Sequence, residues 1–590
     1  MKQTCDFPIN KALRPVSGGG RSAMALVILS LALLLWAVSC KAVPSAQGSV
    51  PAAEQPSEPG AAEERQKVPP SARDDSQDYA EIRPRAQARD ELTVAFSKSE
   101  LELDFRQSYY ASEAQIFTAI YEGLFSYNPI TMAPVPAAAS GWEISDDKKV
   151  WTFTIRENAK FQNGDPLRAE DFRAAWLSLL EPGREAPYSS LFDIIEKARD
   201  YRLGLCKAEE VGVSAKNDKT LVVRLNSPAA FFPSMLCHHS FSPIHPSMLR
   251  GGNWEKPISN GPFYLEEIDS DHILLLKSPE YWDARRVSLN RLTIKFTEDG
   301  GEAAAMWNSG SAGWIHGDVN MDALTDRSGI EVNAMFATNY YYIRSANKPW
   351  DDFRLRRALT LVLPWDKIRQ GYPLPATTLI FPISDYPQIE GVEDVNEEEA
   401  KKLLSEAGHP GGVGLPELVI RITPSQEADR IATLMAEAWF GILGIPVKID
   451  VVPYRQYFQA LKQDDYDVGS TNWIGDFADP YTFLQMWCRD SNLNDARHND
   501  DEYESLIDKS MTEEGSKRWE TLAKAEKLLL DRGNVLPISY SPALNIIDLS
   551  GIDGWYPNVL DIHPFKYMSV RARRPLPGVA MKMQNSLLKS

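Results

Sequence analysis

The segment 472-NWIGDFADPYTFL-484 carries two aspartates, Asp476 and Asp479, with Trp473 ahead of the first and Pro480 directly after the second. Carboxylates this close can share acid–base work, hold a divalent cation, or bind an ammonium group. Catalysis finds no support elsewhere in the chain. There is no G-x-S-x-G elbow and no cysteine–histidine pair in a nucleophile setting, so no enzyme activity is expected. Metal chemistry is equally bare. His238, His239 and His245 in 237-CHHSFSPIH-245 lack the H-x3-5-H helical spacing, and Pro243 interrupts them. The acidic runs DDYD (464–467) and NDDEYE (499–504) lack the glycine and closing glutamate of a calcium loop. The run 408-GHPGGVG-414 lacks the Lys-Ser/Thr of a phosphate loop. No metal and no cofactor are therefore expected. Two readings remain for Asp476: a turn aspartate bonding its own loop, or a charge kept for a ligand cation. Asp479, standing before Pro480, reads as structural, an N-cap for the helix that holds Phe483 and Leu484.

The elements that must position these residues alternate between strand and helix. Strands are expected at 91–96, 150–156, 219–225, 272–278 and 447–452, and helices at 112–125, 169–180, 397–408 and about 517–531. In the 397–408 helix, Ala400, Leu403, Leu404 and Ala407 follow the i, i+3, i+4, i+7 spacing. Asn396 can cap its start, where three glutamates suit the helix dipole, and Gly408 suits a left-handed C-terminal cap. The interleaving predicts an α/β chain without internal repeats.

At 590 residues the chain is too long for one core, so two or more lobes are expected. Its net charge of −18, from 63 Lys+Arg and 81 Asp+Glu, argues against a nucleic-acid partner. The N-terminus is basic (Lys2, Lys11, Arg14, Arg21) and leads into apolar 23-AMALVILSLALLLWAVSC-40, which has the layout of an export signal. Small residues before Cys40 resemble a relaxed bacterial lipoprotein signal over residues 1–40, with Cys40 as the lipidated residue. An ordinary signal peptide or an uncleaved anchor are the alternatives. Residues 41–89 are rich in Pro, Ala, Glu, Ser and Gln, and read as a disordered tether. Cys206, Cys237 and Cys488 make an odd set, so at least one thiol is free or pairs between chains, and a Cys206–Cys237 bridge stays open. The basic tail 571–590 reads as frayed surface, with contact to anionic lipid as the sharper alternative.

The stretch 150-VWTFTIRENAKFQNGDPLRAEDFRAAW-176 resembles the extracytoplasmic solute-binding proteins of peptide and nickel ABC importers, family 5, nearest the oligopeptide-binding members. So do 118-TAIYEGLF-125, 259-SNGPFYLEE together with SPEYWDA-284, 339-NYYYIRSANKPWDDFRLRRALTLVLPWDKI-368, 396-NEEEAKKLLSEAG-408 and 503-YESLIDKSM together with LPISY-540. The resemblance covers about residues 90–570. It implies a type II periplasmic-binding-protein fold, with two lobes joined by a hinge and an extra subdomain in lobe one. Lobe one would comprise 90–125, 259–337 and 541–570, the extra subdomain 126–258, and lobe two 338–540. It further implies a peptide ligand in the interlobe cleft, an ABC permease as partner, and a monomer on the outer side of a bacterial membrane, held there through Cys40. A nickel-chelate, haem or sugar binder, or a sensor or adhesin, is the alternative on the same fold.

A receptor for peptides of many sequences must bond their main chain and their charged ends. By resemblance, Asp476 takes the ligand amino group, Trp473 walls the site, and the backbones of Trp473 and Ile474 pair with the peptide. Glu113 and Ala114 fall at a cleft-edge segment of lobe one. Tyr188, Tyr341 and Tyr454 fall at cleft positions, each with core packing as the plain alternative. The far end departs from the family: Ser470, Leu461 and Ala428 stand where relatives have basic residues, although Lys462 and Arg430 are close by in sequence.

Overall fold

The computed structural model describes residues 88–98, 101–108 and 111–571. The export signal with Cys40, nearly all of the tether, and the tail beyond Arg571 lie outside the described residues. The ordered chain starts slightly earlier than the sequence suggested, because Ala88–Arg89 pairs antiparallel with Val570 and Arg571 and joins the two ends of the body. No helix among the described residues is long and apolar enough to cross a membrane.

The main sheet has ten strands, in the order Val447–Val451, Leu418–Ile422, Val468–Ile474, Ile330–Ile343, Val535–Ile547, Trp314–His316, Glu91–Ser97, Arg291–Thr297, His272–Lys277 and Phe263–Ile268. Its two middle strands are the longest, 14 and 13 residues, and they carry the chain from one half of the molecule to the other. Their ladder breaks between Ala334 and Thr338. There the Phe336 N–H turns to the Val559 carbonyl, and the Phe336 carbonyl accepts from Gly475 N–H. Pro537 and Pro542, in the facing strand, have no N–H to donate. The ladder between the two long strands is thus weakest at Ala334–Thr338.

Local signals explain most elements. Asn396 accepts from Glu399 N–H at 3.0 Å to start the helix Glu397–Glu406, and Gly408 adopts φ 92° just beyond its end. The helix expected over 112–125 is shorter, Ala111–Ile120, and Phe125–Tyr127 is a strand instead. Gly123 lies between them, where a Cβ would come within 2.9 Å of the Leu236 carbonyl. A separate four-stranded sheet, Ala139–Ile144, Val150–Ile155, Thr220–Arg224 and Val213–Asn217, is built wholly from residues within 126–258. The helix Ala169–Leu179 covers it, and Trp176 Nε1 donates to the Phe241 carbonyl at 3.0 Å. The architecture is the two-lobed α/β one of type II periplasmic binding proteins.

Residues 186–238 meet residues 476–492 across the cleft. Ser190 donates to Gln485 Oε1 at 2.7 Å, Asn492 donates to the Ala186 carbonyl at 2.9 Å, and Arg199 and Arg202 both bond Asp490. The cysteines Cys206, Cys237 and Cys488 are free thiols, so the Cys206–Cys237 bridge is not formed.

Candidate ligand-binding site

Val468–Ile474, the cleft strand, offers an unpaired edge. On one side it runs antiparallel to Ile330–Ile343, with Ala337 opposite Ile474 and Tyr341 opposite Ser470. On the other it meets Leu418–Ile422 only at Val468. Main-chain groups alternate sides along an antiparallel strand. Ser470 N–H bonds the Tyr457 hydroxyl, outward, while Gly475 N–H bonds Phe336, inward. The N–H and C=O of Asn472 and Ile474 therefore face the open edge, and those of Thr471 and Trp473 face the neighbouring strand. Ile474 thus turns its main chain to the open edge, while Trp473 turns its main chain to the neighbouring strand and lines the cavity described below with its side chain.

Asp476 follows this strand and is 7% exposed. The Thr482 hydroxyl donates to its Oδ2 at 2.9 Å and accepts from its N–H at 2.8 Å. His238 Nε2 lies 3.7 Å from Oδ1. His238 Nδ1 accepts from Ser240 N–H at 3.4 Å, so Nε2 carries the proton. Burial pushes His238 down to about 3, and the ring is neutral at ordinary pH. Among the described residues no lysine or arginine pairs with Asp476. Desolvation, only partly offset by the Thr482 bond, pushes its carboxyl up to about 7. This is a buried acid held in place without a countercharge.

A cavity enclosing about 700 Å³, part of it continuous with solvent, runs along the cleft strand. Tyr188, Trp473, Tyr340, Tyr342, Trp487 and Phe458 form its aromatic wall, and among the described residues Lys462 and Asp495 are the charged side chains lining it. The indole N–H groups of Trp473 and Trp487 are buried and meet no acceptor among the described residues. An unpaired buried donor costs about 1–3 kcal/mol, so a ligand carbonyl there is rewarded.

The expected residues divide. Trp473 and Tyr188 line the cavity with ring centroids 6.4 Å apart, and Tyr188 also stacks edge-on to His238 at 4.6 Å. Tyr341 does not line it. Strand alternation puts Tyr340 and Tyr342 on that face and turns the Tyr341 hydroxyl toward the Ala428 carbonyl, 3.5 Å away. Glu113 turns inward, accepting from Glu102 N–H at 2.8 Å and from the Ser108 hydroxyl at 2.7 Å, and so ties a loop rather than facing the cleft cavity. Ala114 lines a second hollow, with Tyr127 and His238. Tyr454 is 53% exposed and packs edge-on to Phe458, which does line the cavity. Ile474 rests its side chain on Met335, Ala337 and Ala543. Pro480, not Asp479, holds the N-cap position of Tyr481–Leu484; Asp479 stands one residue earlier, where it accepts from Tyr481 N–H at 2.9 Å and receives two bonds from Arg518. Sequence reasoning missed His238, which it weighed only as a metal ligand. The run 237–245 holds no metal group among the described residues, since His245 bonds Asp165 and Ser247 instead.

Comparison with known proteins places this geometry. A profile of the bacterial extracellular solute-binding proteins, family 5 Middle, matches residues 133–495. The oligopeptide-binding protein OppA of Bacillus subtilis is 30% identical over 452 residues, 71% of this chain and 82% of its own length. The periplasmic murein peptide-binding protein MppA of Escherichia coli is 27% identical over 479 residues, 76% of this chain and 87% of its own. The solved structure of MppA, the murein tripeptide binding protein, superposes with TM-score 0.73 at 25% identity, covering 82% of this chain and 99% of that one. Its unliganded open form superposes with TM-score 0.59. Proteins of this family are carriers, without catalytic activity. The chain is a member of the bacterial extracellular solute-binding proteins of family 5.

Proposed function

We propose that the protein captures peptides in the interlobe cleft and delivers them to an ABC importer. The peptide lies as an added strand on the open edge at Asn472 and Ile474, with its ammonium group on Asp476. The observation that carries this reading is the Asp476 carboxylate: buried, bonded by Thr482, and paired with no lysine or arginine among the described residues. Trp473 and Tyr188 wall the amino end of the ligand. Lobe one as 90–125, 259–337 and 541–570, the subdomain 126–258 and lobe two as 338–540 would move about the ladder break at Ala334–Thr338, so that a closed, loaded form presents the permease with a different surface. Cys40 carries the lipid that holds a monomeric receptor to the membrane, and 41–89 is its tether. Replacing Cys40 by Ser should release the protein from the membrane fraction.

Native mass spectrometry of protein purified from its own cells tests the ligand class, with peptide masses expected. A non-peptide mass would overturn the reading in favour of another solute on the same fold. The aromatic wall, and the neutral Ser470, Leu461 and Ala428 where relatives are basic, are what favour that second reading.

A further inference from the structure

Tyr127, Tyr188, Phe231 and His238, all within residues 126–258, close over the 472–484 segment. Tyr188 meets the Trp473 ring, His238 meets the Asp476 carboxyl, and the Tyr127 hydroxyl donates to the Asp476 carbonyl at 3.3 Å. The Phe231 ring stacks on Phe477, with centroids 6.4 Å apart and planes 13° apart, and meets Tyr481 at 5.9 Å. Its face carries the Arg518 guanidinium at 4.0 Å. Arg518 and its partner Asp479 are 5% and 6% exposed, so this ring helps to keep their ion pair from water. Further out lies an ionic rim. Arg199 Nε donates to Asp490 Oδ2 at 3.0 Å, and Arg202 donates to the Asp490 carbonyl at 2.6 Å while Asp193 holds it at 2.8 Å.

The stretch 126–258 is carried by the lobe-one segments. Both of its chain connections, at 125–126 and 258–259, run to them, and none runs to residues 476–518. Side chains reinforce the join. The Arg156 guanidinium sits 3.8 Å over the Trp282 ring, Asn158 donates to the Trp282 carbonyl at 3.2 Å, and Lys160 donates to Glu280 at 2.7 Å. The contacts of Phe231 and Arg199 with 476–518 can therefore part while the chain and this join stay whole. Neither residue lines the cavity.

We infer that residues 126–258 are the clasp of the cleft: Phe231 seats on Phe477, Tyr481 and Arg518 as the lobes close, the Arg199–Asp490 pair fastens the rim, and together they set how long a ligand stays bound. This rests on the reading of capture by closure given above and adds to it a role for the extra subdomain. Phe231 and Arg199 are positioning residues, acting through Arg518 and the loop that carries Asp476. A contact made only in the closed arrangement slows opening, and hence release, while entry into the open cleft is left nearly as it was. The clasp joins protein to protein, so it favours closure with or without a ligand.

Stopped-flow tryptophan fluorescence of the full-length protein with Ala-Phe-Ala separates the two rates. Phe231→Ala should raise the dissociation rate about tenfold or more and leave association within a few fold. Phe231→Leu, which keeps an apolar plug, should restore part of the loss. Asp490→Asn, at the partly exposed rim, should raise dissociation a few fold and remove the acceleration that added salt causes in the wild type. Unchanged dissociation in Phe231→Ala, or an equal loss in association, would overturn the clasp. Dissociation from the wild type that ignores salt would overturn the ionic rim. A wild type that does not bind the tripeptide would count against the peptide reading instead. Small-angle scattering of the proteins as purified then decides the clasp without a chosen ligand. Phe231→Ala should show a larger radius of gyration than the wild type, and equal radii would overturn the inference.

Discussion

Asp476 and Asp479 lie in one loop, are both buried, and have opposite surroundings. Asp479 receives a two-pronged grip from Arg518 at 2.7 and 2.9 Å, and the Arg518 guanidinium also sits 4.0 Å above the Phe231 ring. Its charge is answered within the protein. Asp476 has a hydroxyl, a neutral imidazole and, among the described residues, no guanidinium. The difference teaches how to tell a structural acid from a binding one: the first is neutralised by the fold, while the second is placed by the fold and left to be neutralised from outside.

The largest effect expected from breaking this comparison is on stability at Asp479. Asp479→Asn leaves Arg518 buried without its carboxylate and should cost about 3–5 kcal/mol in a denaturant titration. Asp476→Asn should cost the fold little by comparison. At the ligand the order reverses. Asp476→Asn should weaken a tripeptide about a hundredfold, near 2.8 kcal/mol by titration, whereas any loss in Asp479→Asn should track its instability.

A third effect, smaller and graded, comes from pH. Burial raises Asp476 to about 7, so the empty folded protein favours its protonated form. The stability this contributes is full below the ordinary carboxyl range, near pH 4, and is lost as pH rises through about 7. Glu526, also pushed up to about 7 by burial, adds a change of the same sign. Melting curves of wild type and Asp476→Asn between pH 5 and 8 isolate the first term, since Glu526 is common to both. The variant should gain on the wild type as pH rises. For binding the sign is opposite: an ammonium needs the carboxylate, so peptide affinity should fall as pH drops below 7, by at most about tenfold per unit, with a proton released on binding. Calorimetry in buffers of different ionisation enthalpy measures that proton. The smallest effect is expected from His238→Asn, a change of a few fold in affinity, because the neutral ring contacts Asp476 at 3.7 Å without supplying charge.

What could be read in the sequence was what neighbours in the chain decide. Asn396 and Gly408 mark the ends of their helix because capping involves only the next few residues. The Asp-Pro pair at 479–480 announced a helix start for the same reason. Tyr341 was placed in the cleft because three tyrosines in a row fix that two face one way and one the other, but not which. That choice came from the register against the cleft strand, a long-range pairing. Glu113 was expected at the cleft edge, yet its bonds to Glu102 and Ser108 depend on how the preceding loop folds back. His238, Arg518 and Tyr457 reach the site from distant segments. No spacing pattern announces them, because only the assembled fold brings them there.

The role given to Asp476 is tested most directly by titrating wild type and Asp476→Asn with a free tripeptide and with its N-acetylated form, which lacks the ammonium group. Acetylation should weaken binding to the wild type about a hundredfold and leave the variant, already weak, nearly unchanged. If acetylation costs both proteins the same, or the variant binds the free peptide as tightly as the wild type, Asp476 does not hold the amino end of the ligand.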